Sequence, residues 1–148
     1  MSNQNNIREK VFITGIGTVN PIGGNPIDFW NNLSQGVNGI DKVSMFDVDD
    51  LPVRIAGEVK EFKPEHYLEK KVARRTGRFA QLGFAAAAQA IEDSGYVINE
   101  STRDNIGVII ATSGDAFNMG AEWDKLTQHG ANRVDPFIIT RMSQHMAA

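Results

Sequence analysis

Cysteine is absent from the 148 residues. That absence excludes a disulfide framework, a thiolate metal site and a cysteine nucleophile within this chain, and it suits a cytoplasmic protein. Long apolar runs are missing as well. No stretch approaches the roughly 18 uninterrupted apolar residues of a membrane-spanning helix, and the opening Met1-Ser2-Asn3-Gln4-Asn5-Asn6 is polar, unlike a secretory signal. No charge dominates: 15 basic and 18 acidic residues leave −3 at neutral pH. Bulk electrostatics therefore gives no reason to expect nucleic acid or a membrane surface as partner. No Gly-x-Ser-x-Gly nucleophile elbow occurs. His66, His129 and His145 stand far apart without partners at ligand spacing, so neither a metal site nor a cofactor is expected. Repeats and low-complexity tracts are lacking too, which removes solenoids and linkers.

What is present fits one globular domain, with 41% hydrophobic and 22% charged residues. The continuous apolar run Val11-Phe12-Ile13-Thr14-Gly15-Ile16-Gly17 predicts a strand covered on both faces, with its glycines marking a close backbone approach. Asn25, Pro26 and Asp28 read as the start of a helix that carries Phe29, Trp30 and Leu33 and stops at Gly36. Val53, Ile55 and Val59 alternate with charges, as in a half-exposed strand or hairpin. A long helix is predicted from about Glu69 to Ser94, ended by Gly95, with Val72, Phe79, Leu82, Ala86 and Ile91 as its apolar stripe. Its thin stretch from Gly83 to Ala88 predicts burial. Ile106 to Ala111 is a second buried-strand candidate, and Asp115 would cap a helix reaching Gln128. Asp135 and Pro136 would open a last helix running to Ala148.

Gly15-Ile16-Gly17 begins like a dinucleotide fingerprint, but Asn20 stands where the third glycine belongs, and a tight strand-to-turn passage explains the glycines as well. The loop Thr112-Ser113-Gly114-Asp115 lies at the carboxyl end of a predicted strand, where α/β sheets place binding sites. Lys70, Lys71, Arg74, Arg75 and Arg78 put five cations within nine residues at the start of the long helix. Helix N-termini disfavour cations, and the pairs Lys70/Arg74 and Lys71/Arg75 repel across one turn. A solvated face is one reading; a docking patch for an acidic partner is the other. The apolar last helix, with no C-cap glycine, basic last turn or polar tail, predicts a fragment of a longer chain. A short protein whose final helix docks its own end is the alternative.

The residues from Val11 through Thr18-Val19-Asn20-Pro21-Ile22-Gly23, then Phe29-Trp30 and Gly36-Val37-Asn38-Gly39-Ile40, resemble the opening of β-ketoacyl-(acyl carrier protein) synthases, the elongating type II enzymes in particular. The likeness continues in order through Phe79-Ala80-Gln81-Leu82-Gly83, Ala90-Ile91-Glu92-Asp93-Ser94-Gly95, Ile106-Gly107-Val108-Ile109 and Asp135-Pro136-Phe137. It implies an α/β, thiolase-like fold, of which residues 1–148 would be the N-terminal part of the first half, cut before the catalytic cysteine. It implies decarboxylative condensation of an acyl thioester with malonyl-carrier protein, in fatty-acid or polyketide synthesis, by a homodimeric parent. The family's cysteine and catalytic histidines have no counterparts in this chain, so the chain alone is expected to be inactive. With part of its sheet missing, it is also expected to leave apolar faces bare. Lys71, Arg74 and Arg75 fall on positions the family uses to grip acyl carrier protein. Gly114 and Asp115 fall at the family's acyl-pocket gate, where acidic Asp115 departs from an apolar residue. Phe137 matches a residue that closes the partner subunit's acyl pocket at the dimer interface. Two other readings remain: a non-catalytic carrier-docking or dimerisation partner, like a chain-length factor, and a small nucleotide-binding α/β domain.

Overall fold

The computed structural model describes residues 10–114 and 116–147. Helix α1 spans Pro26–Ser34. Asn25 caps it, its side-chain oxygen accepting from the Asp28 N–H at 2.9 Å, while Pro26 takes the first helical position, where a missing N–H costs nothing. The helix ends at Gln35, after which Gly36 adopts φ +70°. The Gly36 N–H then bonds the Leu33 carbonyl and the Val37 N–H the Asn32 carbonyl, both at 3.0 Å. These two bonds satisfy carbonyls the helix would otherwise strand, in a turn that favours glycine.

Strands β1 (Ile40–Lys42) and β2 (Ile55–Gly57) pair antiparallel, Asp41 opposite Ala56, in a two-stranded sheet. The alternating stretch around Ile55 is thus a strand, as its pattern predicts. Glu58 anchors the connection: its carboxylate accepts from the Ser44 N–H at 2.9 Å, the Ser44 hydroxyl at 2.8 Å and the Met45 N–H at 3.1 Å.

The long helix foreseen from Glu69 to Ser94 is two helices. Helix α2 (Lys70–Ala73) lasts four residues, and α3 (Arg78–Ser94) starts after Gly77, which is extended at φ −65°, ψ 153°. A Cβ on Gly77 would stand 2.1 Å from the Arg141 carbonyl oxygen. The break therefore lets a later part of the chain pack onto the backbone at the joint, a long-range demand invisible to local periodicity. Thr76 bonds back to the Val72 carbonyl at 2.8 Å. Gly95 ends α3 at φ +63°, as its sequence predicts.

The segment from Val11 to Val19 lies along α3. Ile16 N–H donates to Asp93 at 2.9 Å and Thr18 N–H to Gln89 at 3.0 Å. A Cβ on Gly15 would stand 2.1 Å from the Ala90 carbonyl oxygen, and one on Gly17 would stand 1.9 Å from that of Ala86. The two glycines seat the backbone of one segment on the backbone of a helix. That contact accounts for them without a phosphate.

Two expected strands are not formed. Among the described residues neither Val11–Gly17 nor Ile106–Ala111 joins a ladder. Their apolar side chains stand in solvent: Val11 is 95%, Ile13 89% and Ile109 98% exposed. An apolar run specifies that both faces should be covered, but a parallel strand also needs neighbours to pair with. Burial is correspondingly slight. Among the described residues, the buried apolar side chains are Val48, Ala73, Ala80 and Ala85. The thin stretch of α3 is buried at Ala85 only in part of its circumference, since Ala87 is exposed and Gly83 faces open space.

Helix α4 (Ala116–His129) matches the expected helix, though its expected cap, Asp115, lies outside the described residues. Helix α5 (Ile138–Met142) neither opens at Asp135 and Pro136 nor runs to the chain end as predicted; Phe137 stands at its N-cap. Ser143 is extended, at φ −67° and ψ 124°, and a 3₁₀ turn over Gln144–Ala147 then packs on α3.

Candidate functional site

The break between α2 and α3 reshapes the basic cluster. Lys70 and Lys71 lie on α2, Arg74 is its C-cap, Arg75 follows in the turn, and Arg78 opens α3. Arg74 and Arg75 thus sit at the carboxyl end of a short helix, where cations are welcome, rather than inside the first turns of a long one. Lys70, Lys71, Arg74 and Arg75 are exposed. No ion pair among the described residues involves them. They form a ridge of uncompensated positive charge on a chain that is acidic overall.

Arg78 differs from these neighbours. It is half-buried, its guanidinium lies 4.9 Å from the Phe62 ring centroid, and it donates to the Val59 carbonyl at 2.5 Å. Its charge is spent tying α3 to the segment after β2.

The second group of candidates is split. Gly114, at φ +76°, lines a small cavity of about 320 Å³ with Ser113, Met119, Met142, Gln144 and His145. Phe137 lies outside that lining and stands against the ridge instead, its ring centroid 4.6 Å from the Arg75 guanidinium carbon. Asp115, the third candidate, falls outside the described residues. One residue of each candidate set, Arg75 and Phe137, therefore meets the other.

Phe137 is held by a polar relay that local sequence reading foresaw only at Asp135. The Asp135 carboxylate accepts from the Phe137 N–H at 2.8 Å and pairs with Arg141 at 2.7 Å. Glu122 of α4 accepts from the Asp135 N–H at 2.7 Å and pairs with Lys125 at 2.5 Å. The Phe137 N–H and then the Arg141 guanidinium hold Asp135 below its ordinary pKa. Lys125 and then the Asp135 N–H do the same for Glu122. Glu122 and Arg141 were missed because thirteen and six residues separate them from Asp135, spacings that no helix or strand pattern flags.

A larger cavity, about 640 Å³, opens between α1, the two strands and the Pro64–His66 turn, and is lined by Asn20, Asn32, Asp41, Glu58, Lys60 and Tyr67 among others. Several of its polar groups already have partners. Asn32 donates to the Ile22 carbonyl at 2.6 Å, Lys60 pairs with Asp41 at 2.9 Å, and Tyr67 accepts from Gln89 at 2.9 Å. Asp41 is pulled below its ordinary pKa and Lys60 above, each chiefly by the hydrogen bond to the other. No group of three or more metal-ligating side chains converges among the described residues. No described helix is long and apolar enough to cross a membrane.

Residues 8–148 match the family described as beta-ketoacyl synthase, N-terminal domain. The 3-oxoacyl-[acyl-carrier-protein] synthase 2 of Staphylococcus aureus (strain COL) is 39% identical over 140 residues, covering 94% of this chain and 34% of the relative. The solved ishigamide ketosynthase/chain length factor superposes with a TM-score of 0.75 at 22% identity, over 92% of this chain and 34% of that one. A type II polyketide-synthase acyl-carrier protein in complex with its ketosynthase bound to the hexaketide gives a TM-score of 0.71 at 17% identity, over 92% and 35%. This chain thus spans about a third of the length of the relatives it matches. Its fold is the N-terminal part of a thiolase-like α/β unit, and the chain belongs to the β-ketoacyl synthase family.

Proposed function

We propose that this chain is the front portion of a 3-oxoacyl-[acyl carrier protein] synthase, and that its own contribution is to receive the carrier protein. The observation that carries this reading is the exposed, unpaired ridge of Lys71, Arg74 and Arg75 on a chain of this family. A carrier protein rich in carboxylates would meet it through charge-assisted contacts, and a positive ridge speeds such encounters. Gly114 and Asp115 would border the acyl pocket of a homodimeric, cytoplasmic parent, whereas Phe137 stands against the ridge. The condensation itself needs an acyl-accepting nucleophile with a base in reach. These 148 residues contain no cysteine, and we infer that the chain does not turn over acyl- and malonyl-carrier protein alone. Measurable condensation by the purified chain would overturn that inference.

The docking reading is tested by combined charge reversal at Lys71, Arg74 and Arg75. Affinity for acyl carrier protein should fall at least about tenfold at low salt, and the gap should narrow as salt screens the ridge. Equal affinities at low salt would refute it. A second reading is a non-catalytic partner of the chain-length-factor kind. The coding sequence beyond Ala148 separates the two. A cysteine followed by two histidines favours the enzyme; a replaced cysteine or a stop favours the partner.

A further inference from the structure

We propose that Phe137 is a positioning residue for the docking ridge: its ring supports the Arg75 guanidinium, which keeps N–H donors for a carboxylate of the partner. The proposal rests on the carrier-docking reading above and assigns Phe137 a role within it. The guanidinium carbon of Arg75 lies 4.6 Å from the Phe137 ring centroid. A guanidinium carries five N–H donors in one plane, more than a single ring can occupy. An unrestrained surface arginine loses much rotamer freedom when it pairs; one already resting on a ring loses less.

Arg78 is the internal contrast. It too lies over an aromatic ring, but it is half-buried and one of its nitrogens donates to the Val59 carbonyl. No described residue accepts from the Arg75 guanidinium, which is exposed. The same stacking device is structural at one position and leaves a free donor fork at the other.

The ring is itself anchored. Asp135 accepts from the Phe137 N–H at 2.8 Å and is clamped by Arg141 at 2.7 Å, and Glu122 holds the Asp135 N–H at 2.7 Å. Thr140, one turn on, donates its hydroxyl to the Phe137 carbonyl at 2.8 Å, with the Arg75 carbonyl a longer 3.4 Å neighbour. The segment opening α5 thus meets the α2–α3 turn at the side chain of Arg75. Isolated surface stacking is weak, and this relay is what makes Phe137 a fixed platform.

The test is a double-mutant cycle on the full 148-residue chain, titrated calorimetrically with purified acyl carrier protein lacking an acyl group, at low ionic strength. Exposed cation–π pairs correspond to about a two- to fivefold change in an equilibrium constant. Phe137→Leu should weaken binding by that factor, and Phe137→Tyr should restore it. Arg75→Lys keeps the charge but gives up the planar stack; it should lose a similar factor, and Phe137→Leu should then cost nothing further. Equal weakening by Phe137→Leu in the wild-type and Arg75→Lys backgrounds, or no recovery with tyrosine, would overturn the proposal and leave the docking reading standing. If Phe137→Leu fails to fold by circular dichroism, Arg75→Lys decides, because unchanged affinity there overturns the proposal by itself. A wild-type chain that does not bind the carrier protein at low salt would defeat the docking reading and this inference together.

Discussion

Gly17 and Gly83 offer two single-methyl additions with opposite expected signs. A Cβ at position 17 would lie 1.9 Å from the Ala86 carbonyl oxygen and 2.8 Å from the Ala90 nitrogen. Both atoms are mid-helix backbone and cannot step aside without breaking α3, so the segment carrying residue 17 must move instead. Its movement forfeits the bonds from Ile16 to Asp93 and from Thr18 to Gln89, each about 0.5–1.5 kcal/mol net. Gly17→Ala should therefore lose about 1–3 kcal/mol, in the range of ordinary overpacking. A Cβ at Gly83 meets nothing within 4 Å, and Gly83→Ala replaces a poor helix former inside α3, for a gain of about 0.5–1 kcal/mol. Urea unfolding followed by far-ultraviolet circular dichroism measures both. Amide exchange at Ile16 and Thr18 reports whether the segment has come off α3. A Gly17→Ala protein as stable as wild type, with both amides still protected, would show that the glycine seat is not what holds the segment.

Asn25→Ala removes the cap of α1 and should cost about 1 kcal/mol in the same unfolding assay, whereas Asn25→Ser should cost little. Asp41, Glu58, Glu122 and Asp135 all have pKa values held below their ordinary ones. Their stabilisation is full above the ordinary values, 3.8 for Asp135 and 4.5 for Glu58, and disappears as pH falls through the lower folded values. For Glu58, partial desolvation opposes the shift, but the Ser44 and Met45 donors outweigh it. An acid titration of stability should therefore slope downward below about pH 4.5 and be flatter in Glu58→Gln; parallel curves would contradict the assignment. Asp135→Ala should disturb the Phe137 amide, while Asp135→Asn keeps an acceptor for it, a difference readable as amide chemical shift. With Val11, Ile13 and Ile109 bare, the chain should bind anilinonaphthalene sulfonate and associate as concentration rises. A monodisperse monomer that ignores the dye would rule this out.

Local signals carry far in places where neighbouring residues settle the outcome. Asn25, Pro26 and Gly36 bound α1 because caps and left-handed turns involve groups only a few residues apart. Gly95 ends α3 for the same reason. The ordered pieces from Val11 to Phe137 are enough to indicate the family, and the density of cations from Lys70 to Arg78 is plain in the sequence.

Everything that depends on a distant partner is legible only in the coordinates. The helix break at Gly77 answers to the Arg141 carbonyl, more than sixty residues away along the chain. The apolar runs at Val11 and Ile109 specify hydrophobic surroundings but cannot supply the strands that would pair with them. Five like-charged residues look equivalent in sequence, yet folding spends Arg78 on Phe62 and Val59, sets Arg75 against Phe137, and leaves Lys70, Lys71 and Arg74 in open solvent. By itself the sequence determined which residues could carry charge, start helices or avoid water. Tertiary structure alone decided which of them meet, because contacts across long loops are selected by packing of the whole chain rather than by the preferences of any one segment.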